Sequence, residues 1–153
     1  MQRKWRVIFV VASAAVFGIA LMLALVTPGL AKDQASSIHR VIIPEEDRFT
    51  PFAVTIHLGE TVRFVNRDTD DHTVVSIDAL NTAGHKNTNH LILGTDNNGG
   101  QAGVFNMTFR RAGTFVYYCR FHATLDASNQ PIAPGPDGGI PGTPMMGVIT
   151  VLP

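Results

Sequence analysis

The chain has 153 residues, with 12 basic and 12 acidic side chains and a formal net charge of zero. That length is about one domain. No segment has the dense Lys/Arg clustering that a nucleic-acid partner requires. The single cysteine excludes an internal disulfide, a CxxC redox pair and any four-cysteine zinc or iron–sulfur site. Fourteen Gly and nine Pro with only 16% charged residues point to a turn-rich, mostly β chain, not a helical bundle.

The charge balance hides an asymmetry. Arg3, Lys4 and Arg6 precede an uncharged run from Val7 to Val26, and all the acidic residues follow it. Small residues, Gly29 and Ala31, close the segment. A basic start, an apolar stretch and a small-residue exit describe a secretion signal. The 20 apolar residues are also long enough to span a hydrocarbon core of ~30 Å as a helix. Residues 1–31 are therefore expected to be a signal peptide or an N-terminal membrane anchor that begins as one hydrophobic helix. The basic residues stay inside and the rest of the chain is exported. Residues 32–38 read as a polar linker, and residues 39–153 as one domain with 9 basic and 12 acidic residues when Lys32 and Asp33 are counted with it.

Beyond the linker the hydrophobic period is two. Val54, Ile56 and Leu58 alternate with Thr55 and His57, and Gly59-Glu60 marks a turn. Val62, Phe64 and Asn66 alternate with Arg63 and Val65. Thr73 to Ile77 is β-branched and apolar. Phe105, Met107 and Phe109 alternate with Asn106 and Thr108. Thr114 to Cys119 follows the break at Gly113, and Val148 to Leu152 closes the chain. Short runs bounded by turn residues predict a β-sandwich. Ala79 to Gly103 and Ala123 to Pro144 are rich in Gly, Asn and Pro and read as two long irregular stretches.

His72, Cys119 and His122 stand out together. Cys119 ends the run Phe115-Val116-Tyr117-Tyr118, and His122 follows it by three residues. His72 follows the acidic turn Asp68-Thr69-Asp70-Asp71, where a strand begins. In a sandwich, a turn before one strand and a turn after another meet at the same end. Met145 or Met146, just before the last strand, reaches that end too. Two His and one Cys in a trigonal plane with a weak axial Met form a mononuclear electron-transfer copper site. A soft thiolate donates strongly to copper and imidazoles suit both oxidation states.

These residues sit in three motifs. The first runs from Phe49-Thr50-Pro51 through Val54-Thr55-Ile56 and Gly59-Glu60-Thr61-Val62-Arg63-Phe64-Val65-Asn66 to Asp71-His72-Thr73-Val74. The second is Gly113-Thr114-Phe115-Val116-Tyr117-Tyr118-Cys119 with His122 behind it. The third is Met145-Met146-Gly147-Val148-Ile149-Thr150-Val151. Over residues 39–153 the chain resembles the cupredoxins, in particular the plastocyanin-like small blue copper proteins. The resemblance implies an all-β, Greek-key β-sandwich holding one type 1 copper ion, with His72, Cys119, His122 and Met145 as ligands. It implies no enzymatic reaction, but one-electron exchange between redox protein partners. In simple members only a few residues separate the second His from the axial Met. Here 22 intervene, Ala123 to Pro144, which leaves Met145, Met146, a loop carbonyl or no group in the axial position. The loop lies near His122, the usual electron exit in the resembled family.

A one-electron carrier outside the cytoplasmic membrane is the leading reading. A copper chaperone or buffer serving an oxidase is the alternative. A catalytic protein such as a nitrite reductase needs a second copper site, for which only His85 and His90 are spare; a binuclear centre needs two bridging thiolates. His85 and His90 read better as solvated loop histidines, His57 faces water, and Met107 packs in the core. Asp68, Asp70 and Asp71 lack the distal Glu of a calcium loop and read as turn formers. The sequon Asn106-Met107-Thr108 lies inside a strand and is discounted. Thr73 or Asn66 is expected to brace the loop that carries His72.

Overall fold

The computed structural model describes residues 37–134 and 142–153, which fall within the unit Gln34–Pro153. The expected N-terminal helix, the signal or anchor and nearly all of the linker lie outside the described residues. Among the described residues no helix is long and apolar enough to cross a membrane.

Among the described residues ten strands follow in chain order: β1 Ile38–Ile43, β2 Ala53–His57, β3 Thr61–Asn66, β4 His72–Ser76, β5 Asn89–Ile92, β6 Gly103–Thr108, β7 Gly113–Tyr118, β8 Thr124–Leu125, β9 Pro131–Ile132 and β10 Met146–Leu152. One sheet has the order β1-β3-β6, the other β2-β10-β7-β4-β5. β1 runs parallel to β3, and β2 parallel to β10; the remaining pairs are antiparallel. The non-sequential neighbours make this an all-β, Greek-key sandwich: the sandwich that the alternation predicted, with the Greek key that the resemblance implied.

The alternation sets which side chains face inward. In β3, Val62, Phe64 and Asn66 are buried while Thr61, Arg63 and Val65 are only partly so. β10 shows the same period, with Gly147, Ile149 and Val151 inside. Phe64 from one sheet meets Tyr117 from the other edge-on, with ring centroids 5.3 Å apart and planes at 85°. Phe49 packs edge-on against Tyr117 at 4.8 Å. Met107 is buried, as its alternation predicted. His57 is exposed, also as expected, with its Nδ1 3.2 Å from the Pro153 carbonyl.

The two stretches read as irregular each contain pairing. Asn89–Ile92 forms β5, an edge strand on β4 with Ile92 opposite His72. Its first three residues are exposed, so no period-two burial marks it in sequence. The later stretch opens with a small hairpin, β8 against β9, closed by bonds between Asp126 and Gln130.

Candidate metal centre

Antiparallel pairing explains how residues remote in sequence meet. β4 and β7 are antiparallel neighbours, with Val75 opposite Tyr118 and Ser76 opposite Tyr117. The start of β4 therefore lies beside the end of β7, which puts His72 and Thr73 against Cys119 and Arg120. β10 flanks β7 on its other side, with Met146 opposite Tyr118. Met145 is thus placed beside the turn that leaves β7.

At this pole the Cys119 Sγ lies 3.7 Å from His72 Nδ1 and 3.8 Å from His122 Nδ1. His72 and Cys119 are fully buried, and the His122 side chain keeps 15% of its surface exposed. The imidazole centroids are 5.0 Å apart, with the rings tilted by 47°. A nitrogen about 2.0–2.1 Å and a sulfur about 2.3 Å from one ion, separated by a trigonal angle, lie about 3.8 Å apart. The observed separations match those of donors around one shared ion. The His₂Cys donor set is that of a copper electron-transfer site.

Met145 is buried, and its backbone ties the whole turn together. Cys119 N–H donates to the Met145 carbonyl at 2.9 Å and Met145 N–H to the His122 carbonyl at 3.2 Å. His122 N–H closes the turn onto the Cys119 carbonyl at 3.2 Å.

Residues 44–127 match the family of copper binding proteins of the plastocyanin/azurin type, and so include His72, Cys119 and His122. The chain belongs to this family. Its fold is similar to that of an oxidized amicyanin variant, with a TM-score of 0.50 and 18% identity over 74% of this chain and 81% of the other. It is also similar to that of a purple cupredoxin from Nitrosopumilus maritimus, with a TM-score of 0.49 and 21% identity over 74% and 99%. No curated protein matches the chain.

This cupredoxin surrounds its thiolate with donors. Thr73 backbone N–H points at Sγ from 3.4 Å and its hydroxyl from 3.6 Å, while the same hydroxyl accepts from Arg120 N–H at 3.0 Å. Burial pushes the Cys119 thiol up, but hydrogen bonds from His72, Thr73 and the Phe121 N–H outweigh it and lower its pKa to about 6. Burial also disfavours the charged form of His72, yet the Cys119 sulfur and the Asp68 carboxylate prevail and raise its pKa. A preformed thiolate environment suits a soft metal ion.

The loop before His72 is braced from inside. Buried Asn66 donates through Nδ2 to the Asp70 carbonyl at 2.8 Å and the Ile92 carbonyl at 3.0 Å, and accepts from Asp68 N–H at 3.0 Å. Of the two candidate braces, Asn66 holds the turn before His72, while Thr73 contacts the sulfur. Gly94 lets the turn pack closely: a Cβ there would overlap the Thr69 and Asp70 backbone, and Gly94 N–H donates to Asp71 Oδ1 at 2.8 Å.

Two carboxylates were not recognised from sequence. Asp68 is a turn former, as read, since its Oδ1 takes the Asp70 N–H at 3.3 Å. Its Oδ2 also meets His72 Nε2 at 3.0 Å in a buried contact. Asp47, from the loop after β1, places Oδ1 3.7 Å from His72 Nε2 and 3.5 Å from His122 Nε2. The four-residue step from Asp68 to His72 was a usable signal, because ligand histidines usually give their other N–H to a carboxylate or carbonyl. Asp47 carried no local signal. His85 and His90 stand elsewhere: His85 Nε2 is 2.9 Å from the Thr108 carbonyl, and the His90 ring stacks on Phe105 at 3.8 Å. Neither joins a group of three candidate donors among the described residues.

Proposed function

We propose that this cupredoxin is a one-electron carrier working outside the cytoplasmic membrane, in which His72 Nδ1, His122 Nδ1 and Cys119 Sγ would hold copper with Met145 as a fourth ligand. The observation that carries the reading is one buried sulfur 3.7 and 3.8 Å from two imidazole nitrogens. When bound, copper supplies the one-electron couple.

The chain's own residues do the rest. The Asn66 brace and the Met145 backbone bonds fix the donors in advance, so they need not move when charge changes. The Thr73 N–H and hydroxyl stabilise charge on the sulfur. Burial of His72 and Cys119 keeps water from the donors, and His122, with its exposed edge, is where a redox protein partner approaches. No substrate bond is made or broken in this scheme, so the protein acts as a carrier and not as an enzyme.

Residues 1–31 are a signal peptide or membrane anchor in this proposal, residues 32–38 a linker and residues 39–153 the copper domain. The mass of the mature protein reads out which: cleavage removes about 31 residues at the small-residue exit. A chaperone must offer its thiolate to an acceptor, and the full burial of Cys119 favours retention over hand-over.

The test is spectroscopic. Copper-loaded protein is expected to show an intense thiolate-to-Cu(II) band in the visible and the matching electron-spin resonance spectrum, both lost in Cys119→Ser. A wild-type protein that stays colourless with oxidised copper overturns the proposal.

A further inference from the structure

Asp68 and Asp47 treat the two histidines differently. Asp68 holds His72 Nε2 at hydrogen-bond distance and is buried with it. Asp47 Oδ1 stands almost midway between the outer nitrogens of both rings, at 3.5 and 3.7 Å. Those separations exceed a good N–H···O bond, so what Asp47 offers both rings is chiefly a fixed negative charge. Among the described residues Asp47 has no arginine or lysine partner; the neighbouring Arg48 pairs with Glu46 instead, at 3.7 Å. His122 Nε2 has no other recorded acceptor among the described residues. The contact is also built into the backbone. Asp47 adopts φ +51°, a left-handed conformation in which Asp and Asn are enriched among non-glycine residues. The loop thereby turns its carboxylate toward the site, with its side chain 27% exposed.

Resting on the copper reading above, we infer that Asp47 is a positioning residue that sets the reduction potential. Its single carboxylate oxygen faces the outer edges of both histidine ligands and favours the oxidised, more positive form of the bound ion. The carboxylate also flanks the exposed His122 edge, so a redox partner meets negative charge there.

The test compares copper-loaded wild type with Asp47→Asn and Glu46→Gln. Asn keeps the left-handed backbone and the side-chain shape while removing the charge. Glu46→Gln removes the same charge one residue away, from an exposed side chain paired with Arg48. At fixed solution potential, Asp47→Asn is expected to move the Cu(II)/Cu(I) ratio toward Cu(I) by about tenfold, which for one electron is about 59 mV. Its spin-resonance spectrum is expected to keep the wild-type hyperfine pattern, and Glu46→Gln to shift the ratio by less than about twofold, since an exposed charge is well screened. The inference is overturned if Asp47→Asn shifts the ratio by less than about twofold, or if both variants shift it equally. Loss of copper or of the wild-type spectrum in Asp47→Asn also overturns it, because Asp47 would then be part of the scaffold. A colourless wild type brings down the copper reading and this inference together, whereas a coloured wild type with an unshifted Asp47→Asn brings down only the inference.

Discussion

Asn66→Ala tests whether the turn carrying His72 is held from within. The Asn66 side chain is fully buried and makes three hydrogen bonds, all to backbone: to Asp70 O, to Ile92 O and from Asp68 N–H. Each such bond contributes about 1 kcal/mol net, so removing the amide costs about 3 kcal/mol, with a further penalty where a backbone group stays buried and unpaired. A domain of this size is stable by only about 5–15 kcal/mol, so the variant folds but is much weakened. With a urea slope of about 1–1.5 kcal/mol/M, the unfolding midpoint of the copper-free protein falls by about 2–3 M. Asn66→Asp separates hydrogen bonding from space filling. It preserves the volume but turns a carboxylate oxygen toward two carbonyls, so it is expected to lose at least as much stability as Asn66→Ala. Copper affinity is expected to fall in both, since Asp68 and His72 ride on the same turn. A loss below about 1 kcal/mol in Asn66→Ala, or a near-neutral Asn66→Asp, refutes the idea that this amide braces the site.

Tyr117 is fully buried, its hydroxyl has no hydrogen-bond partner among the described residues, and burial pushes its pKa up. Tyr117→Phe is therefore expected to stabilise the protein by about 1–2 kcal/mol in urea unfolding, because the hydroxyl's uncompensated desolvation is removed; destabilisation would show that the hydroxyl does have a partner. Copper uptake is expected to weaken as pH falls below about 6, where the Cys119 thiol becomes protonated. His72, with its pKa raised above 6.5, takes up its proton earlier on the same descent and steepens the loss. Each proton displaced by the metal contributes about tenfold per pH unit, read by chelator competition between pH 8 and 5. An affinity that stays flat over that range contradicts the assignment of Cys119 and His72.

The strands with a buried and an exposed face were legible because the pleat writes itself into the sequence. Ile56, Val62, Phe64, Met107, Ile149 and Val151 all fall on the inward phase and all are buried. Leu58 broke the pattern: it lies past the end of β2 and is exposed, so the alternation reached one turn too far. β5 was missed because an edge strand needs only a neighbour's open backbone, which β4 supplies, and not a period of its own. His39 lies within β1, where its Nε2 is 2.9 Å from Glu60 Oε2. The donor set His72, Cys119 and His122 was legible because its residue types are uncommon and tied to strand ends. The charges behind the histidines were not. Asp47 and Asp68 look like ordinary turn acids until the fold sets the Asp47 loop against both rings and the Asp68 turn against His72.

Thr73 shows why this pole is rigid where a bare set of donors would not be. Its amide and hydroxyl both reach the Cys119 sulfur, and its hydroxyl also takes the Arg120 N–H. One side chain therefore joins the first turn of β4 to the exit of β7 at the point where the sulfur sits. Met145, just before β10, does the same through its backbone. Three neighbouring strands thus fix the sulfur independently of the stretch 123–144, and this is why that stretch can be long. Loop closure entropy grows only slowly with length, and here the ends of the loop are already set by the bonds of Met145 to Cys119 and His122. Added residues between 123 and 144 therefore leave the donor spacing to the sheet.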